Sequence, residues 1–168
     1  MFWVNKLNLP CFKRINMKAT TQLAQHLRSV FFGGNWSCIN VKDTLEGITY
    51  SQAQTKIEGF NTIATLSFHM QYYLDPVCKV LQGEPLVASD KESFAVPHFE
   101  NDVQWENFVQ EIIAKAERFA LAVEQLDETK LYAVFEQEKY GTYYRNILGL
   151  IEHTHYHLGQ IALMKKMV

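Results

Sequence analysis

The sequence has few cysteines and no long apolar run. Its 168 residues contain three cysteines, Cys11, Cys38 and Cys78, and no C-x-x-C pair, so we expect neither a disulfide framework nor a cysteine zinc site. Thiols in this small, odd number are typical of a reducing compartment, and we expect a cytoplasmic protein. No stretch approaches the roughly 18 consecutive apolar residues that a membrane-spanning helix needs, so we expect no membrane partner.

An excess of positive charge is also missing. Lysine and arginine number 16 against 18 aspartates and glutamates, which gives a formal net charge of −2. A chain with this balance has no broad electropositive surface for a phosphate backbone, so we expect no nucleic-acid partner. Strand signals are equally scarce, because residues 131–135 form the one short β-like run, which we interpret as extended loop.

Helical periodicity dominates the rest of the chain and predicts an all-α fold. Apolar residues recur at spacings of three and four from Ala19 until Gly33–Gly34 ends the first helix. A mostly apolar second segment covers about residues 60–81, and a fourth helix is predicted over about residues 142–166. The apolar stripe of the third helix consists of Trp105, Phe108, Val109, Ile112, Ala116, Phe119, Val123 and Leu126. Four long helices in a chain of this length predict a four-helix bundle.

The segments outside these helices suggest the domain organisation. Residues 1–16 are basic and contain no acid, and we expect them to form a short docked arm, a frayed tail or an upstream extension. Residues 17–168 are then a single bundle domain. The link over residues 83–101 is long enough for a crossover, which permits the second and third helices to run parallel. Short helical turns are predicted around residues 41–46 and 51–57.

Half of the six histidines lie within five consecutive residues near the carboxyl end. His153 and His157 are four apart, so on a helix they project from one face, about 6 Å apart along the axis, within an apolar seam. His155 is rotated about 200° from His153 and cannot share that face, whereas His69 has a similar seam position on the second helix. Three neutral imidazoles from two neighbouring helices can cap one metal ion. A seam histidine is also often a satisfied core residue, and the spacing leaves both interpretations open.

Two segments of the chain resemble a known family. The last helix contains IEHTHYHLGQIALMKK, and the second contains FNTIATLSFHMQYYL. The first resembles the signature of the DinB-like superfamily, in which a histidine, three residues, a histidine and then x-Gly-Gln-Ile close the last bundle helix. The second resembles the single-histidine segment of the same family. Further similarity lies in HLRSVFFGGNWSCINVKDTL and EKYGTYYRNILGLIEH, so the resemblance covers about residues 18–168.

This resemblance implies a fold and a ligand set. The bundle is expected to run up, down, down and up, and to hold a divalent metal, zinc or nickel, through His69, His153 and His157. A homodimer is implied as well. Gln160 lies one turn or less from His157 and is a candidate hydrogen-bond partner of a ligand nitrogen or of a metal water. The side chain of Glu152 is rotated about 100° around the helix axis from that of His153, and no glutamate follows the first histidine as in the H-E-x-x-H motif. A protease-type mechanism would therefore lack its general base.

A function follows as an expectation. Some members of the superfamily transfer low-molecular-weight thiols to electrophiles, which implies a divalent-metal-dependent enzyme of the thiol S-transferase type. A metal held by three neutral imidazoles keeps its charge and activates a bound thiol or water. The partners are then a small-molecule thiol or electrophile. Two alternatives stay open, namely a metal-dependent hydrolase and a non-catalytic helical bundle that binds a metal or a small ligand.

Overall fold

The computed structural model describes residues 17–168, and within that range the chain is all-α. The helices are α1 (Ala19–Phe32), α2 (Val41–Leu45), α3 (Tyr50–Gln54), α4 (Ile63–Tyr72), α5 (Leu74–Leu81), α6 (Asp102–Gln125) and α7 (Tyr143–Met164). Short 3₁₀ turns lie at Glu92–Phe94, Glu128–Tyr132 and Glu138–Tyr140. Between residues 17 and 168 the β-structure is one isolated antiparallel bridge, from Val134 to Thr142. The arm expected over residues 1–16 lies outside the described residues.

The second predicted helix is in fact two helices, α4 and α5, which meet at Tyr73. Pro76 explains the interruption, because its ring clashes with the carbonyl four residues earlier, and that carbonyl belongs to Tyr72, the last residue of α4. Within α5, Pro76 lies in the first turn, where a missing N–H breaks no helical hydrogen bond. The expectation of one continuous helix over residues 60–81 is therefore wrong at this point.

Side-chain caps mark the beginning of α4, α6 and α7. Thr62, Asn101 and Thr142 stand directly before α4, α6 and α7, and the side chain of each accepts a hydrogen bond from a backbone N–H in the first turn. A cap of this kind stabilises a helix by about 1 kcal/mol. The start of α7 agrees with the sequence prediction. Helix α2 falls within the short turn predicted at 41–46, and α3 begins one residue before the turn predicted at 51–57.

The core lies between α1, the α4–α5 pair, α6 and α7. Helix α6 packs against α1 and α5, while α7 packs against α4 and α1. The predicted stripe of α6 is buried, apart from Val109, which is half-buried. None of the described helices is both long and apolar enough to cross a bilayer.

Ion pairs at the edge of this core join α6 to its neighbours. Arg28 on α1 contacts Glu117 and Glu124 on α6, each at 2.9 Å. On the other side, Lys115 of α6 lies 2.9 Å from Asp75 of α5. The connector between α5 and α6 then returns over the molecule, and its 3₁₀ turn packs against α4.

Replacing Ile112 with alanine should destabilise the fold by about 2–5 kcal/mol, because Ile112 is fully buried on the core face of α6. Leu121→Ala on the same helix is the control: Leu121 is 43% exposed, so its loss should change the free energy of unfolding by about 0.5 kcal/mol. Chemical denaturation measures both values. Equal losses in the two variants would contradict the assignment of the core face.

Candidate metal centre

The three histidines predicted to bind a metal lie together where α4 packs against α7. Nε2 of His153 is 3.1 Å from Nε2 of His69 and 3.1 Å from Nε2 of His157. The candidate ligand atoms of the three residues all lie within 4.8 Å of one another. Their rings are steeply inclined to each other, with interplanar angles of 70°, 82° and 89°. The three side chains therefore bring their Nε2 atoms together in one small cluster.

Burial keeps all three imidazoles neutral at pH 7. His69 and His157 are buried and His153 is half-buried. Burial, with smaller contributions from His157 and His69, lowers the pKa of His153 to about 4. Burial is also the largest cause of the lowered pKa of His69 and of His157. The neutral form is the one that coordinates a metal ion.

Hydrogen bonds on the outer side of two rings determine which nitrogen carries the proton. Nδ1 of His69 lies 2.7 Å from Oγ of Ser93, which donates its single proton to the backbone carbonyl of Asp90 at 2.6 Å. The hydroxyl therefore accepts from Nδ1–H of His69. Nδ1 of His157 lies 2.7 Å from Oε1 of Gln160, a carbonyl oxygen that can only accept. Both rings consequently present an unprotonated Nε2 to His153.

The histidine contacts fit a divalent cation better than they fit one another. Nε2 of His153 carries at most one proton, so at least one of its two 3.1 Å contacts sets a lone pair against a lone pair. Two nitrogens bound to one zinc ion at about 2.0–2.1 Å lie about 3.3 Å apart in tetrahedral coordination. The observed separations are close to that value, so this donor set can hold zinc or a similar ion.

The connector between α5 and α6 covers one side of His69. The ring of Phe94 stacks on the imidazole with its centroid 4.0 Å away and a tilt of 16°. The ring of Tyr73 stands edge-on to the same imidazole at 5.8 Å. Ser93, between these groups and α4, is fully buried. The connector thereby holds His69 in a single orientation toward α7.

Sequence reasoning predicted some of these partners and missed others. Gln160 bonds a ligand nitrogen, as one of its two predicted roles requires. His155 points away from the site toward His26 of α1, with ring centroids 6.3 Å apart, as helical phase predicts. Ser93 and Phe94 were missed, because they lie more than 20 positions from His69 in a segment without periodicity. The unusual length of that connector was the only feature of the sequence that pointed to a role for it.

A cavity of about 530 Å³ opens beside the histidines, a size that suits a small-molecule ligand. His69 and His153 form part of its wall, together with Tyr73 and the charged residues Asp90, Arg145 and Glu152. Glu152 therefore shares a cavity with His153 although the two side chains leave α7 in different directions. The positions of Glu152 and His153 around the helix axis do not by themselves predict that both line one cavity.

Comparisons of the chain with protein-family models, with curated proteins and with solved structures found no match. The family resemblance accordingly depends on the sequence motifs alone. The description of the histidine site depends on the distances and hydrogen bonds within this chain.

Zinc-loaded protein, freed of excess metal, should retain about one ion per chain. His69→Gln, His153→Gln and His157→Gln should each lose most of it, because each removes one of the three converging nitrogens. His155→Gln is the control on the same helix and should retain the metal, since His155 faces His26 instead. Plasma mass spectrometry counts the ions. Stoichiometric zinc in a His153→Gln, His157→Gln double variant would overturn the ligand assignment.

Ser93→Ala should weaken zinc binding by about 10- to 100-fold, because it removes the acceptor that orients His69. Ser51→Ala, an exposed serine on α3, should leave the affinity unchanged. Competition with a chromophoric chelator measures both dissociation constants. Equal affinities in wild type and Ser93→Ala would show that Ser93 has no orienting role.

Proposed function

We propose that this protein binds a divalent ion, zinc or nickel, between α4 and α7 through His69, His153 and His157. The observation that carries the proposal is the convergence of three neutral Nε2 atoms. Ser93 and Gln160 add support, because their hydrogen bonds direct two of the lone pairs inward. Apolar packing alone gives no reason for two buried imidazoles and one half-buried imidazole to meet at these distances.

We infer that the chemistry at this site is transfer of a small thiol to an electrophile. When bound, the ion supplies the positive charge that lowers the pKa of a thiol or of water toward neutrality. The protein's contribution is to hold three neutral nitrogens and to leave a cavity on the side of His69 and His153. Tyr73 forms part of that wall; its hydroxyl donates to Asp90 at 3.2 Å, and burial raises its pKa, so it stays protonated.

Membership of the DinB-like superfamily is part of the same proposal. We propose with it that α1, α4–α5, α6 and α7 run up, down, down and up. Contacts between α1 and α6 support opposite directions for the first and third helices of this order. The backbone N–H of Ala19 at the start of α1 donates to Glu128, beyond the end of α6, whereas Arg28 near the end of α1 reaches back to Glu117. These contacts favour an antiparallel pair of α1 and α6.

Contacts of the α4–α5 pair support the other two directions. Phe68 stacks on Phe108, and further along both helices Asp75 pairs with Lys115, which favours α5 and α6 running parallel. Along α7 the order is reversed. His69 lies beside His157, while the later Val77 lines the cavity together with the earlier Asn146. An antiparallel pair of α4 and α7 has this pattern.

The remaining expectations stay predictions. They are a homodimer, a cytoplasmic location, a small thiol or electrophile as partner, and no nucleic-acid or membrane partner. Light scattering on the purified protein tests the first of them, since a homodimer has twice the mass of the 19.5 kDa chain.

Zinc-loaded protein should release nitrophenolate from 4-nitrophenyl acetate in a reaction that requires cysteine as the added thiol. The thiol sulfur bonds to the acetyl carbon, nitrophenolate leaves, and the thiol proton passes to solvent, so the products balance. His153→Gln should reduce the rate to that of the uncatalysed reaction, whereas His155→Gln should retain the wild-type rate. Absorbance of nitrophenolate follows each reaction.

Two outcomes of this assay contradict thiol transfer. Equal nitrophenolate release without cysteine identifies water as the nucleophile and favours a metal-dependent hydrolase. Zinc binding without any release above background favours a non-catalytic metal-binding bundle.

A further inference from the structure

The cavity beside the histidines contains charges of both signs that have no partner of opposite sign. Arg145 lies in its wall in the first turn of α7, and Asp90 and Glu152 line the same cavity. Between residues 17 and 168, none of these three side chains takes part in an ion pair. Arg145 donates one hydrogen bond to the carbonyl of Tyr140 at 3.1 Å, and its other N–H groups are available to a ligand.

The charges lie at different places along the cavity. Arg145 and Glu152 are seven residues apart on α7, so they share a face about 10 Å apart along the helix axis. Glu152 directly precedes His153, and the backbone carbonyl of Asp90 bonds Ser93, the partner of His69. The negative charges are thus at the histidine end of the cavity. The positive charge is at the other end, where the amino terminus of α7 adds the positive end of its dipole.

Gly149 keeps the wall open between these two ends. It lies inside α7 and lines the cavity, and a Cβ built on it meets no atom within 4 Å. Glycine is less favourable than alanine inside a helix. No neighbouring protein atom requires the missing side chain, so packing does not explain the glycine, whereas a larger side chain there would occupy the cavity.

We propose that this cavity binds a small zwitterion of short-peptide length, with its carboxylate on Arg145 and its ammonium group between Asp90 and Glu152. All three side chains are exposed, so a simple anion would leave the two carboxylates paired with water alone, and a simple cation would leave the guanidinium so. Three extended residues span about 10 Å, which equals the separation of the two ends. The inference deepens the proposed function, because the ammonium end of the ligand then lies next to His69 and His153.

The test uses triglycine and two derivatives that each lack one charge, triglycine amide and N-acetyltriglycine. Each is titrated into the metal-free protein, and the amide chemical shifts of the cavity residues give the dissociation constants. Triglycine should bind at the cavity, and loss of either charge should weaken binding about tenfold, because each charge loses its partner. Metal-free protein is used so that the result does not depend on zinc.

Paired variants locate the interaction. Arg145→Gln should bind triglycine and its amide equally, while Arg118→Gln on α6, outside the cavity, should keep the preference for triglycine. Gly149→Leu should abolish binding by filling the cavity. Gly159→Leu is the matched control on the same helix, because a Cβ there also meets no atom within 4 Å while Gly159 lies outside the cavity. This variant should bind triglycine as the wild type does.

Three results overturn the proposal: no binding of triglycine, equal binding of the three peptides, or unchanged binding in Gly149→Leu. Failure of the proposed function is distinguishable from each. A protein that binds triglycine and fails to bind zinc refutes the metal site alone, whereas one that binds zinc and no triglycine refutes the zwitterion site alone.

Discussion

Packing of α4 against α7 brings Nε2 of His69 to 3.1 Å from Nε2 of His153, which lies equally close to Nε2 of His157, and the proposed site requires this contact. Two nitrogen lone pairs that face each other repel at this distance, and desolvation opposes a second proton on any of the three rings. The contact persists because other groups hold α4 against α7. Buried Ile63 and Ile151 belong to the shared core, and the connector seats His69 through Ser93. A divalent cation bound between the three nitrogens, as proposed, would turn this locally unfavourable contact into a favourable one.

Much of this arrangement could be predicted from the sequence, because it follows from helix geometry. The spacing of four between His153 and His157 and the exclusion of His155 both depend only on the 3.6-residue period. Helices α4, α6 and α7 begin at capping residues, and the α6 stripe is buried as expected except at Val109. Pro76 was visible in the sequence as well, and its effect on the helix before it follows from its ring and its missing N–H.

The remainder depends on contacts between distant parts of the chain. No local pattern indicates that Ser93 returns to His69, since the connector between them has neither helical nor strand period. The neighbourhood of Glu152 and His153 in one cavity depends on how α4, α5 and the connector close around α7. For the same reason the pairing of His69 with the α7 histidines required the structure. Spacing within one helix carries no information about the helix packed against it.

The proposed function requires that the imidazoles of His69, His153 and His157 all coordinate one divalent ion. X-ray absorption at the zinc edge of the loaded protein tests it most directly, because it reports the ligand atoms and their distances. We expect three imidazole nitrogens at about 2.0–2.1 Å, with further oxygen or nitrogen ligands completing the coordination sphere. A sulfur shell at about 2.3 Å, which would place the ion on a cysteine, or a sphere without imidazole would contradict it.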